Sequence, residues 1–320
     1  MQLRPITPDH LDAWARLLAD VEAVDRTGEH YTADDLAEEL ANPEVTEIDF
    51  IGAFGDGELV GFASVLPRGQ TDGAFKVAVE GAVHPTRRGA GLGTRLAEAM
   101  VARAAQVAQA RRPDLPARVV THALAANTAQ RELLSSVGFR AGSSHLLMRR
   151  PLDDVPEPPA VPDDYRIREY DERRADDLRL AHNLAFDGFH PGFTPWTADV
   201  WAQWESRSRT FRPALTRLAV LAGSEEIVGY LTTHEFEGHQ QATGRREAHV
   251  AKVGTVPTHR GRGLAAVLLG HCLRAYADAG YDEASLNVYA ENPTGARRVY
   301  ERAGFVVERE STDYALDLPR

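Results

Sequence analysis

The sequence predicts two tandem α/β (α+β) domains, each with a central sheet flanked by helices. Three observations carry that expectation. The 320 residues exceed one ordinary domain, and 43% of them are hydrophobic, enough for a core in each half. The pattern Arg-x-x-Gly-x-Gly/Ala occurs twice between a strand-like and a helix-like run, beginning at Arg88 and again at Arg260, 172 residues apart. A repeat of that length is a duplicated domain, not a solenoid period. Between the copies, residues 151–164 are so rich in prolines and acids that they suit neither a helix nor a central strand. They mark a linker between domains at 1–150 and 165–320.

In the first domain a strand is expected near Leu3 to Ile6, followed by helices around Leu11–Val24 and Ala33–Ala41. Phe50–Phe54 and Leu59–Leu66 alternate as a hairpin, turned at Asp56-Gly57. A strand from Lys76 to Val83 feeds the first loop, and a helix leaves it and runs to about Ala110. Val119–Leu124 reads as a strand, Asn127–Val137 as a helix, and Gly138-Phe139 closes it.

The second domain repeats the plan. Arg166–Glu169 is a strand, Ala175–Ala185 and Ala198–Ser206 are helical, and Leu218–Ala222 with Ile227–Glu235 form a hairpin turned at Gly223-Ser224. His249–Val256 is the strand into the second loop, and Leu264–Ala279 is the helix out of it. Leu286–Asn292 is a short strand, Pro293–Arg302 a helix, and Gly304-Phe305 the close.

The loop residues Arg260, Gly261, Arg262, Gly263, Leu264 and Ala265 have the order of a phosphate cradle. A tight turn into a helix points free backbone N–H groups, with the helix dipole behind them, at one spot. Glycines let a ligand come close, and arginines can add charge-assisted contacts. Arg88, Gly89, Ala90, Gly91, Gly93 and Thr94 form the same constellation in the first half. No Gly-Lys-Ser/Thr follows, so this is not a Walker loop, and Ala265 and Ala266 break the Gly-x-Gly-x-x-Gly spacing.

The Arg-x-x-Gly-x-Ala loop resembles the acetyl-CoA pyrophosphate loop of the GNAT N-acetyltransferases. The run Asn-Pro-Thr-Gly-Ala-Arg-Arg-Val-Tyr-Glu-Arg-Ala-Gly-Phe at 292–305 looks like that family's second signature. The resemblance covers about the whole chain, and its two-domain plan is similar to the mycothiol synthase-like acetyltransferases. It implies a mixed, mostly antiparallel sheet in each domain, acetyl-CoA as co-substrate, no metal, and transfer of acetyl to a primary amine of a small molecule. It also implies roles. Tyr300, five residues before the closing Phe305, is the acid toward the departing thiolate. His249, eleven residues before the loop arginine, stands where the base is often a Glu. Asn292 and the strand end at Val253, Gly254 and Thr255 are expected to hold the cofactor, with Val83 their partner in the first half, and a backbone N–H near Val253 to receive the oxyanion. Trp196, Trp201 and Glu235 lie where the acceptor is expected; Trp204, Phe189, His190 and Phe193 crowd the same stretch.

The halves differ chemically. At the acid position the first half has Leu134, and at the base position Val77. Glu80, three residues further on, is expected on the opposite strand face. The first half is therefore read as catalytically degenerate, although its loop still suits CoA.

Composition limits the alternatives. A formal net charge of -11 argues against nucleic acid and fits an amine substrate. A single cysteine, Cys272, sits among Leu268, Leu269 and Leu273 and reads as a packing residue in a reducing compartment. No apolar run is long enough to span a membrane, so a cytoplasmic protein, monomer or homodimer, is expected.

Overall fold

The computed structural model describes residues 1–42, 44–71, 73–187, 193–291 and 295–318. The chain divides into two compact units, Met1–Ser144 with Glu310–Arg320, and His145–Arg309.

In the first unit β1 (Gln2–Pro5), β2 (Phe50–Gly55), β3 (Glu58–Thr71), β4 (Ala74–Val83) and β5 (Ala117–Leu124) lie side by side in chain order. All neighbours are antiparallel except the parallel pair β4–β5. One face is covered by α1 (Leu11–Asp25) and α2 (Ala33–Leu40), whose Trp14, Leu17 and Leu36 bury against Phe50, Phe62 and Leu66. The other is covered by α3 (Leu92–Arg111) and α4 (Thr128–Ser136), through Leu96, Met100 and Leu134. A capping box starts α2. The Thr32 N–H donates to Asp35 Oδ2 at 2.8 Å, and the Asp35 N–H to Thr32 Oγ1 at 3.2 Å, satisfying two donors the first turn cannot pair itself.

β6 (Arg140–Pro151) leads into the second unit, made of β7 (Tyr165–Glu169), α5 (Ala175–Phe186), α6 (Ala198–Trp201), β8 (Arg217–Leu221), β9 (Ile227–His234), α7 (Glu237–Thr243), β10 (Glu247–Thr255), α8 (Leu264–Asp278), β11 (Glu283–Tyr289) and α9 (Ala296–Arg302). β12 (Val306–Leu318) ends the chain. The sheet runs β6-β11-β10-β9-β8-β7, with β10–β11 its parallel pair. Core residues of α8 and α9 pack on one face, and α5 with Trp201 packs on the other.

Three features differ from the sequence expectation. Residues 145–151 pair with β11 in the second unit, and 311–318 pair with β5 in the first. The final strand of each sequence half thus completes the sheet of the other unit. The repeats end in equivalent strands, and alternation in sequence does not say which edge a strand will fill. The proline-rich segment is docked, not free. Pro158 and Pro159 lie so close to Gly270 that a Cβ there would meet Pro159 Cδ at 2.7 Å, and Arg274 donates to the Val155 carbonyl at 2.9 Å. Helix α7, ended by Gly244 at φ 72°, stands where the hairpin was expected to pass directly into the loop strand.

Candidate active site

Both glycine-rich loops are built alike. Gly89, Gly91, Gly261 and Gly263 have φ of 79°, 78°, 75° and 78°, a left-handed conformation that side chains resist. Gly91 and Gly263 cap α3 and α8, whose first N–H groups face outward. The two leading arginines are engaged within the fold. Arg88 forms a fork with Asp25 at 2.7 and 2.8 Å and donates to the Val83 carbonyl. Arg260 donates to the Thr255 and Ala185 carbonyls at 3.2 and 2.6 Å. They fasten the loop to the strand and to the end of the first helix of each unit.

Beside each loop the parallel strands part. Register ends at Ala78–Val120 in the first unit and at Val250–Leu286 in the second. Beyond those pairs, among the described residues, β4 and β10 have backbone groups that no sheet neighbour on that side uses. Val253, Gly254 and Thr255 occupy this freed stretch, while their other edge stays paired with Leu231, Tyr230 and Gly229.

In the second unit His249 precedes the opening. Its ring is half-buried, with Nδ1 2.9 Å from Ser285 Oγ and the Phe236 ring 5.8 Å away. Burial pulls its pKa down to about 4. Tyr300 is buried on α9 against Phe305, and desolvation pushes its phenol up to about 12. Asn292 lies outside the described residues.

The predicted acceptor residues separate. Trp196 and Trp201 meet over the ring of His182, at 5.0 and 5.2 Å between centroids, and Lys252 Nζ lies 4.8 Å from the Trp196 centroid. Glu235 is held inside the fold by three donors. It accepts from Arg212 at 2.7 Å, Arg246 at 2.9 Å and Tyr281 at 2.7 Å. Burial alone would raise its pKa, but these donors outweigh it and bring it to about 2. Cys272 is fully buried, its thiol pushed up to about 12 by desolvation. His239, Glu247 and Glu283 bring three ligand-type atoms within 4.8 Å of one another, but the Arg149 guanidinium already bridges the two carboxylates.

The sequence missed the pair Lys252–Glu205. Glu205, fully buried on the π-helical turn Ala202–Ser206, accepts from the Lys252 ammonium, and His234 lies 3.4 Å away. The first unit has a cleft of its own. Val83, Arg88, Gly89, Gly91, Gly93 and Thr94 all line one cleft of about 540 Å3, with Leu134 at its wall; Ala90 does not. Glu80 does face away from Val77, as expected, and it lines the cleft, as do Val79 and Gly81 beside it. The first half therefore does not lack a carboxylate at its strand opening. The apolar alternation Phe75, Val77, Val79 along β4 was the signal, since it puts the core on one face and Glu80 on the other.

Residues 1–140 match the acetyltransferase (GNAT) domain model and residues 178–305 the acetyltransferase (GNAT) family model. The mycothiol acetyltransferase of Nocardia farcinica is 33% identical over 266 residues, covering 81% of this chain and 80% of that protein. The chain belongs to the GNAT acetyltransferase family. The mycothiol acetyltransferase of Actinosynnema mirum aligns end to end, 29% identical over 97% of each chain. Among solved structures, a GCN5-related N-acetyltransferase from Sphaerobacter thermophilus superposes with a TM-score of 0.77 at 27% identity, over 99% of this chain and 95% of that one. A tandem GNAT protein of the clavulanic acid pathway superposes at 0.71 with 16% identity, over 100% and 99%, a likeness of fold. This chain is a tandem GNAT acyltransferase, and GNAT enzymes take acetyl-CoA as co-substrate. Among the described residues no helix is long and apolar enough to cross a membrane.

Proposed function

We propose that the C-terminal GNAT domain transfers acetyl from acetyl-CoA to a primary amine of a small molecule, by direct attack in a ternary complex. The observation that carries the choice of domain is the phenol of Tyr300 on α9, where the first unit has Leu134. The pyrophosphate rests on the N–H groups at Gly261–Ala265, and the pantetheine runs along the freed edge of β10 at Val253–Thr255. The thioester carbonyl then lies at the strand opening, where a backbone N–H near Val253 receives the developing oxyanion.

The amine nitrogen attacks the carbonyl carbon, the C–N bond forms and the C–S bond breaks. Tyr300, a phenol at neutral pH, donates a hydrogen bond to sulfur as charge develops there; its proton passes to the sulfur as the C–S bond breaks, the proton released by the amine restores the phenol, and CoA leaves as the thiol. His249, neutral above about pH 4, accepts the amine's proton directly or through water. Its low basicity makes it a weak driver, so the amine must arrive unprotonated and most of the acceleration comes from alignment. We place the reaction in the cytoplasm, where one buried thiol is at ease.

A narrower reading, mycothiol acetyltransferase proper, is favoured by the names of relatives that cover most of the chain. His249 at the base position sets it in tension with a Glu-based mechanism. Thiol release from acetyl-CoA with the deacetylated precursor of mycothiol, an aminoglycoside and a peptide amine as acceptors tests both. Turnover confined to the precursor supports the narrower reading, and turnover with none of them, in a protein that binds CoA, overturns the transferase reading.

A further inference from the structure

Helix α9, which carries Tyr300, has seven residues, and a helix so short is held in place by its ends and its packing. Its C-terminal end is closed twice. The first closure is a backbone turn. The Phe305 N–H donates to the Tyr300 carbonyl and the Gly304 N–H to the Glu301 carbonyl, both at 3.0 Å, with Gly304 left-handed at φ 87°. The Phe305 ring folds back toward the Tyr300 ring, centroids 6.3 Å apart. Tyr300 is thus itself part of the cap.

The second closure is Arg150. It stands on β6 opposite Ala284 of β11, and its buried guanidinium donates to the carbonyl of Ala303, the residue that ends α9. It also donates to the Asp154 carbonyl at 2.5 Å and to the Pro151 carbonyl at 3.3 Å. The group lies against Gly304, where a Cβ would meet Nη1 at 3.2 Å and Cζ at 3.3 Å. A cation suits a helix C-terminus, but burial pulls its pKa down, so the charge is held there at a cost.

The first unit builds the same turn with an aliphatic contact. At the end of α4 the Phe139 N–H donates to the Leu134 carbonyl at 3.0 Å and the Gly138 N–H to the Ser135 carbonyl at 3.1 Å, with Gly138 at φ 101°. A Cβ on Gly138 would meet Leu316 Cδ1 at 3.5 Å, where Gly304 meets the guanidinium. The helix end can therefore be closed without a buried charge. The charge is found in the unit that has the phenol, and the aliphatic contact in the unit that has Leu134.

We propose that Arg150 is a positioning residue for the transfer: it fixes the last turn of α9 against β6, and through that turn the place of the Tyr300 phenol. This rests on the reading of Tyr300 as the donor to sulfur. Arg150 does not touch the reacting atoms. A donor that acts as a bond breaks must already be in line, and a displacement of about 1 Å caused from outside the site can cost about 100-fold in rate.

The test is a double-substitution cycle in the full chain, read as thiol release from acetyl-CoA with the acceptor of the panel above that the wild type turns over. Arg150→Leu should lower kcat about 10-fold or more while the Kd for acetyl-CoA stays within about 2-fold. In the Tyr300→Phe background the same substitution should change kcat less than about 2-fold, because the phenol it positions is gone. Arg150→Lys keeps the cation but not the fork, should fall between, and carries the cycle if Arg150→Leu does not fold. An equal fall in both backgrounds, or a wild-type kcat in a folded Arg150 variant, overturns the proposal. Fluorine NMR of the fluorotyrosine-labelled chain reads the placement without an acceptor. The resonance missing from Tyr300→Phe should shift in the Arg150 variant, and an unmoved resonance overturns the proposal as well. A shifted resonance, with a kcat that Tyr300→Phe leaves unchanged, would overturn the role given to Tyr300 and not its placement by Arg150.

Discussion

The Ser285 hydroxyl lies 2.9 Å from His249 Nδ1, one register step before β10 and β11 part. The imidazole is thereby held at the mouth of the opening, and burial keeps it neutral down to about pH 4. A histidine at its ordinary value would give kcat/KM a step near pH 6.5. Here no such step is expected from His249, because its folded pKa lies below the assay range. The rise of kcat/KM with pH should follow the free amine. His249→Ala should lower kcat/KM about 10-fold without changing that shape. A step near 6.5 that disappears in the variant would show that the ring titrates normally and acts as a conventional base.

In the proposed reaction Tyr300 contributes a hydrogen bond to sulfur only as the C–S bond breaks, so its loss belongs in kcat. Tyr300→Phe keeps the ring that packs on Phe305 and should lower kcat about 100-fold, with the Kd for acetyl-CoA nearly unchanged. Stopped-flow or steady-state thiol release with calorimetry of CoA binding reads both. An unchanged kcat removes the phenol from the reaction.

Much of this was legible in the sequence because it depends on local rules. Both loops, the helices that leave them and the hairpins that precede them follow from glycine spacing and hydrophobic period. What was not legible depends on phase and distance. Equal spacing equates His249 with Val77, yet Val77 points into the α3 core while His249 faces away from its own. The cause is an irregularity between Val250 and Lys252 in β10, which shifts strand phase by one residue. Nothing in Val-Ala-Lys announces a bulge. Likewise Arg149 reaches Glu247 and Glu283 across 98 and 134 residues of sequence, and no local pattern pairs them.

The exchange of terminal strands makes a test of its own. Residues 311–318 pair with β5 from Leu124 to Ala117, and Tyr314 is buried in the core under α3. Removing residues 310–320 should therefore open the first unit and leave the second, which contains Tyr300, comparatively intact. Hydrogen exchange at the amides of β5 should speed up by about 100-fold or more, while β9 amides change little. Equal loss of protection in both would mean that the two units do not unfold separately.

The division of labour between the units is tested at Gly263 and Gly91. Both are left-handed helix caps at φ 78°, so any side chain strains the backbone by about 1–2 kcal/mol, and the alanine variants measure that strain alone. A glutamate adds a carboxylate at the N–H groups that would hold pyrophosphate. Gly263→Glu should abolish turnover where Gly263→Ala retains part of it, because the C-terminal loop serves the unit that has Tyr300. Gly91→Glu should spare most of the turnover and remove at most one equivalent of bound CoA, because the N-terminal loop faces Leu134. Turnover together with CoA stoichiometry, in variants whose thermal unfolding remains cooperative, separates the outcomes. If Gly91→Glu abolishes turnover while Gly91→Ala does not, the N-terminal loop takes part in the reaction and the asymmetry drawn from Tyr300 and Leu134 fails.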